Sequence, residues 1–301
     1  MEKVQNMQNV KNVQNTGNAR SSRSPFKRML HHIRSIYQLK IGVTILAALV
    51  IVAIFAPLIA THDPYLLGDE LTAPPSGAHL LGTDGLGRDI FSMIVYGART
   101  SLLIGVIAAL ISGVIGTLLG GIAGFYRGRI DKVLTEVNNI FLIMPTFFLI
   151  LLVIALFGSS MFNVMLIIGL TSWVGNARLM RAQAMSLRER TFVLSSTAIG
   201  ESRSKILFKH IIPNGIFPII ANTTMNISGA ILTEAGLSFL GLGDPNVVSW
   251  GQIVFNGRSY LTSGWWISTF SGLTIVITVL AFYLVGDGLN RVLSPKLRAN
   301  Y

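Results

Sequence analysis

A chain of 301 residues that is 51% hydrophobic and only 12% charged, with mean hydropathy +0.60, is a membrane protein; water-soluble domains carry about 25% charged residues. Its formal charge of +11 would suit a nucleic-acid ligand, but the placement of that charge, set out below, ties it to membrane topology instead. There is no cysteine, which excludes disulfides and thiolate metal centres.

Residues 1–40 form a basic cytoplasmic segment. The stretch 1–24, rich in Asn, Gln, Ser and Lys, has almost nothing to bury and reads as disordered. From 24 to 40, Phe26, Met29, Leu30, Ile33, Ile36 and Tyr37 recur at helical spacing among basic residues, the pattern of a helix lying along the inner leaflet. His31 and His32 are adjacent there, so they face different ways and make no metal pair. Crossing a hydrocarbon core of about 30 Å takes about 20 residues, and six uncharged stretches qualify: 41–60, 100–126, 137–157, 161–177, 211–233 and 259–286. The forty-residue tail is too long for a signal-peptide n-region, so 41–60 reads as a retained first span.

The segment 61–98 is extracytoplasmic, and Pro64, Pro74 and Pro75 make it a loop. Gly82-Thr-Asp-Gly-Leu-Gly-Arg-Asp89 is dense in turn formers, and Asp84, Arg88 and Asp89 can pair locally; the expectation is a folded turn at the membrane surface, not a nucleotide loop. The remaining segment, 99–301, holds the other five spans. In its first span Ser112, Gly116, Gly120 and Gly124 put small residues on one helix face, which lets another backbone approach closely in lipid. That partner helix belongs either to this chain or to a second membrane subunit. Met144-Pro145 should kink the third span, and Gly158-Ser159-Ser160 separates the third from the fourth.

The inner loop 181–213 is too charged to cross a bilayer. Within it the spacing predicts two short helices, 192–199 stopped by Gly200 and 202–211 stopped by Pro213. Apolar residues there are interleaved with Arg203, Lys205 and Lys209, the composition of a docking element. In the next span Glu234 lies about 31 Å from the inner boundary at 1.5 Å per residue, which puts it at the outer mouth within reach of water. It is either an interfacial carboxylate or a substrate-facing group. The same arithmetic sets Asp287 at the inner boundary of the sixth span. Trp250, Trp265 and Trp266 fit an aromatic belt at the outer interface. With the N-terminus inside and six crossings, 21 of the 24 Lys and Arg fall on the inner side, and both termini are cytoplasmic.

No triphosphate loop, nucleophile motif or metal-binding His/Cys cluster is present, so no catalytic or metal-ligating residue is assigned; energy, if used, comes from another polypeptide. An ion-coupled secondary carrier would need charge near the bilayer midplane, where none of these spans places it. A non-transport membrane scaffold is the other alternative.

The inner loop resembles the EAA motif of ATP-binding-cassette importer permeases. Gly200 and Ile212-Pro213 keep that motif's spacing, Leu194-Ser195-Ser196 stands where Glu-Ala-Ala is usual, and His210 where Ile is usual. The His-Ile-Ile-Pro-Asn ending at Asn214 is similar to the dipeptide, oligopeptide and nickel branch. So are Gly82–Asp89, the run Leu237-Ser-Phe-Leu-Gly-Leu-Gly243 with Ser249-Trp250-Gly251, and Gly286-Asp-Gly-Leu289 leading to Leu293-Ser-Pro295. The resemblance implies an all-α integral membrane fold of the type I importer permease kind, with six transmembrane helices and a cytoplasmic coupling-helix loop, in a bacterial cell membrane. It implies ATPase docking through Phe192, Leu194, Ser195, Ser196, Ile199, Gly200, Ile206, His210 and Pro213, and a translocation mouth near Glu234, Asp84, Arg88 and Asp89. The implied partners are a second homologous permease, two ATP-binding subunits that carry ATP and Mg, an extracytoplasmic solute-binding protein and membrane lipid, with no nucleic acid. This chain itself holds no cofactor. The implied solutes are peptides, nickel or other metal chelates, or glutathione-like compounds.

Overall fold

The computed structural model describes residues 37–293. The tail 1–36, with His31 and His32 and most of the expected inner-leaflet helix, and the Ser294-Pro295 end of the last motif lie outside the described residues. In chain order the helices are α1 (Tyr37–Ile54), α2 (Ile90–Tyr126), α3 (Gly128–Ile143), α4 (Thr146–Phe157), α5 (Met161–Thr171) and α6 (Trp173–Leu187). There follow α7 (Thr191–Ala198), α8 (Arg203–Ile206), α9 (Phe217–Phe239), α10 (Trp250–Gly257) and α11 (Trp265–Leu293). Among the described residues the only β pairing is an isolated antiparallel bridge between Thr83 and Asp89.

Helices α1, α2 and α11 are each long and apolar enough to cross a membrane. Two bent pairs meet the same test as broken spans: α3 with α4, at 84°, and the segment Arg203–Gly215 with α9, at 60°. The expected kink at Met144-Pro145 is therefore a full break. Proline disfavours the helical conformation for the residue before it, and Met144 is extended at φ −72° and ψ 124°. The expected fourth span, 161–177, is divided at Ser172, and α6 continues past its expected end to Leu187.

Helix α2 begins at Ile90, so the expectation of a loop up to residue 98 is corrected. Asp89 starts it: its carboxylate accepts the Ser92 N–H at 2.8 Å, satisfying one of the free donors of the first turn. Helix α2 makes its most extensive contact with α6. A Cβ on Gly116 would lie 2.8 Å from the Trp173 carbonyl, one on Gly120 would overlap the Ala177 carbonyl, and one on Gly124 would lie 2.8 Å from Cβ of Ala184. The small-residue face thus has its partner within this chain. Polar side chains stitch the same junction. Ser112 Oγ donates to the Ser172 carbonyl at 2.9 Å, Asn176 Nδ2 to Ser112 Oγ at 3.2 Å, and Asn222 Nδ2 of α9 to Asn176 Oδ1 at 2.9 Å. The carbonyl at the α5–α6 break is satisfied by that serine rather than left bare in lipid.

Two apolar clusters cap the ends of this assembly. One joins Ile90 and Met93 of α2, Trp250 and Ile253 of α10, and Trp266 and Ile267 of α11. The other joins Phe125, Met180, Val193, Ile206, Leu207, Ile211 and Ile219. The aromatic-belt expectation is corrected for two tryptophans: Trp250 is wholly buried, its Nε1 donating to the Ile94 carbonyl, and Trp266 is buried with Nε1 on the Thr83 carbonyl. Only Trp265 is exposed. An indole N–H buried with a carbonyl partner loses nothing by leaving the interface.

Candidate functional site

The loop between α6 and α9 is built to present one face and fasten the other. Helix α7 ends in a paired backbone cap: Glu201 N–H donates to the Ser196 carbonyl at 3.0 Å and Gly200 N–H to the Thr197 carbonyl at 3.1 Å. This cap needs a left-handed residue, and Gly200 supplies it at φ +81°. A side chain there would meet nothing within 4 Å, so conformation and not space demands the glycine. The second helix does not stop at Pro213, contrary to expectation. Its ladder widens over Leu207–Ile211 to i→i+5 bonds, Ile212 N–H reaching the Leu207 carbonyl, and a further turn, Ile212–Gly215, carries Pro213 near its start. The missing proline N–H falls in the first turn of that new ladder, where it costs no bond.

Val193, Ile206, Leu207 and Ile211 point inward onto Phe125 of α2 and Met180 and Ala184 of α6. Ile206 is 1% exposed and so is a fastening residue rather than a docking contact. Phe208, absent from the expected set, is exposed in its place, beside the expected Phe192, Leu194 and Ile199. Ser195 and Pro213 are exposed, while Ser196 and His210 are half-buried. Basic side chains secure the loop further. Arg188 Nη1 donates to the Phe125 carbonyl at 2.9 Å, Arg127 pairs with Glu189, and Arg181 forks onto Asp131 at 2.6 and 2.8 Å. Within the loop Glu201 contacts Lys205 at 3.0 Å and His210 Nε2 at 2.8 Å. The hydrogen bond from Lys205, opposed by desolvation and reinforced by His210, holds the Glu201 carboxyl below its ordinary value.

At the opposite end, Glu234 is not open to water as expected: it is 4% exposed. Its Oε1 accepts from Ser238 and Ser249 hydroxyls, both at 2.8 Å, while Oε2 is buried without a protein partner. Glu234 lines a cavity of about 10 Å³ with Thr100, Val164 and Ser249, the lower limit for one water. Helix α10 closes this site. Ser249 caps it, Trp250 N–H donates to Ser101 Oγ at 3.2 Å, and Ser271 Oγ donates to the Trp250 carbonyl at 2.8 Å.

The other mouth candidates lie apart from Glu234. Asp84 Oδ1 accepts the Leu86 and Arg88 N–H groups at 2.9 Å, and its Oδ2 takes the Arg88 guanidinium at 2.6 and 2.8 Å. This knot lines a cavity of about 240 Å³ with Asn256, Arg258 and Tyr260. Asp89 faces His79 instead, at 2.9 Å. Burial raises the Asp89 carboxyl, and hydrogen bonds from Ser92 and His79 outweigh it, so its pKa falls below the ordinary value. Between α2 and α9 an apolar groove of about 380 Å³ opens sideways, lined by Val106, Leu110, Gly113, Thr117, Thr223 and Ile227.

Residues 116–299 match the family described as "Binding-protein-dependent transport system inner membrane component". The chain is 37% identical over 278 residues to the oligopeptide transport system permease protein OppC of Bacillus subtilis (strain 168), covering 91% of each. It is 39% identical over 283 residues to the dipeptide transport system permease protein DppC of Escherichia coli (strain K12), covering 91% of this chain and 94% of that one. In fold it is similar to a chain of the MetNI methionine ABC transporter solved in an inward-facing conformation. The TM-score is 0.54 at 19% identity, over 67% of this chain and 96% of that one.

Proposed function

The chain belongs to the binding-protein-dependent transport system inner membrane component family, and we propose that it is one of two homologous permease subunits of an ATP-driven importer for peptides. Its relatives' names, which specify oligopeptide and dipeptide transport, support peptides ahead of nickel or metal-chelate and glutathione-like solutes. In this reading the chain crosses a bacterial cell membrane six times with both termini in the cytoplasm. The groove between α2 and α9 faces the second permease, with the solute path between them. A solute-binding protein delivers to the outer end, and two ATP-binding subunits carry the nucleotide and Mg. This chain performs no covalent chemistry.

One observation carries the proposal: the loop around Gly200 exposes Phe192, Leu194, Ile199 and Phe208 on a body fastened to α2 and α6 by buried Val193, Ile206, Leu207 and Ile211. An apolar face held rigidly in water suits a protein partner. Closure of the motor subunits on ATP would press that face, and α6 and α9, which bracket the loop, would carry the displacement outward. Only two states of different accessibility are needed, biased by nucleotide.

Because the chain has no cysteine, Ser195→Cys introduces a single thiol for a photoreactive label. In membranes holding the whole complex, illumination should join the labelled chain to an ATP-binding subunit, in a yield that changes when nucleotide is trapped. Uptake-competent membranes that never give this adduct would overturn the docking role.

A further inference from the structure

Three side chains distant in sequence converge at the outer end of α2. His62 lies just beyond the turn Ala56–Ile59, His79 in the loop before the Gly82 turn, and Asp89 at the start of α2. One ligand-capable atom from each falls within 4.8 Å of the other two. His79 Nδ1 is 2.9 Å and His62 Nδ1 3.9 Å from Asp89 Oδ1, and the two imidazole centroids are 4.7 Å apart. We propose that His62, His79 and Asp89 bind one divalent transition-metal ion of the zinc class, which pins the extracytoplasmic segment to the head of α2.

The donor set selects the ion. Two imidazoles and one carboxylate suit Zn²⁺ or Ni²⁺, whereas Mg²⁺ and Ca²⁺ require mostly oxygen ligands. The surroundings of a metal site are also in place. Asp89 has no exposed side-chain surface, and its second oxygen, Oδ2, is engaged by the Ser92 N–H at 2.8 Å and Thr61 Oγ1 at 3.2 Å. That leaves Oδ1 turned toward the imidazoles, held by the kind of outer contacts that orient metal ligands. His62 is 43% exposed, so water can reach the site from one side and complete four-coordination. Metal binding through His79 Nδ1 replaces its 2.9 Å hydrogen bond to Asp89 Oδ1, with the ring N–H carried on Nε2. The segment 61–89 contributes few apolar anchors of its own, and a metal bridge joins its two ends, His62 and Asp89, through its middle, His79. This inference holds whatever solute the chain carries.

The test uses the full-length chain in its complex, purified in detergent through a tag without histidine and stripped with a chelator. It is titrated with ZnCl₂ alone against a chromophoric competitor, with bound metal counted by mass spectrometry. The expected result is one zinc per chain, retained in His31→Ala/His32→Ala. Affinity should drop at least roughly tenfold in His79→Gln and in His62→Gln. MgCl₂ should not compete. If His79→Gln fails to fold, the exposed His62→Gln, which leaves the Asp89 cap intact, decides alone. Absence of stoichiometric zinc in the wild type, or zinc kept at full affinity in His62→Gln, would reduce the cluster to a hydrogen-bonded helix cap.

Discussion

Glu234 and Ser249, fifteen residues apart, share a buried 2.8 Å hydrogen bond that closes the end of α9 onto the start of α10. Removing the carboxylate in Glu234→Ala leaves the Ser238 and Ser249 hydroxyls without their acceptor and should cost about 1–3 kcal/mol. Glu234→Gln keeps an acceptor oxygen and should cost less. Thermal unfolding of the detergent-solubilised complex, run beside peptide uptake, checks this. Stability should fall in the order wild type, Gln, Ala, and an Ala variant as stable as wild type would contradict the bond's role.

Gly120 and Gly229 make a matched pair of helix glycines. A methyl on Gly120 overlaps the Ala177 carbonyl, whereas one on Gly229 meets nothing within 4 Å. Gly120→Ala should destabilise by about 1–3 kcal/mol as α2 and α6 are forced apart. Gly229→Ala should be neutral or slightly stabilising, because alanine favours the helix by about 1 kcal/mol over glycine. Folded yield and unfolding temperature of the two variants should diverge accordingly.

Within the loop between α6 and α9, stability and association should separate by residue. Ile206→Ala removes a wholly buried side chain and should cost about 2–5 kcal/mol. Phe208→Ala trims an exposed ring and should leave folding unchanged while lowering co-purification of the ATP-binding subunit. Equal effects of the two on pull-down, at equal folded yield, would contradict the assignment of one to anchorage and the other to docking.

The Glu201 pairing gives a pH signature. Its carboxyl is held below the ordinary 4.5, first by Lys205, so the folded loop binds protons less readily than the unfolded one. The stabilisation is therefore complete above the ordinary carboxylate value and fades as pH falls through the lowered folded value. Hydrogen exchange over residues 199–211, corrected for intrinsic rates, should show constant protection from pH 8 to about 5 and a decline below that. In Glu201→Gln that acid-side decline should vanish.

The sequence carried the loop's design well because that design is local. A glycine at a helix end and a fixed distance to a proline are readable from one strand of text, and Gly200 sits in the left-handed cap they imply. Pro213 misled because its cost depends on where the hydrogen-bond ladder is interrupted, and the wide turn at Leu207–Ile211 moved that point. Glu234 misled for a different reason. Counting residues along one helix gives its depth, but its solvation is set by α10 folding back over it. The partner of the glycine face was undecidable from α2 alone and required the path of α6. His62, His79 and Asp89 carry no recognisable spacing, since the turns between them bring them together.

The bonds from Asn222 through Asn176 and Ser112 to the Ser172 carbonyl lie where α2, α6 and α9 meet. Slipping α9 by one turn, about 5.4 Å, would break its bond to Asn176, and slipping α2 would break both bonds of Ser112, in a medium that offers no replacement partners. Piston-like travel is thereby discouraged, and tilting of the three as a welded block is left as the cheap motion. In the proposed importer, a shove received at Phe192 or Phe208 should emerge at the other end of these helices as leverage about that polar hub, turning a small stroke into a swing of the opposite rim.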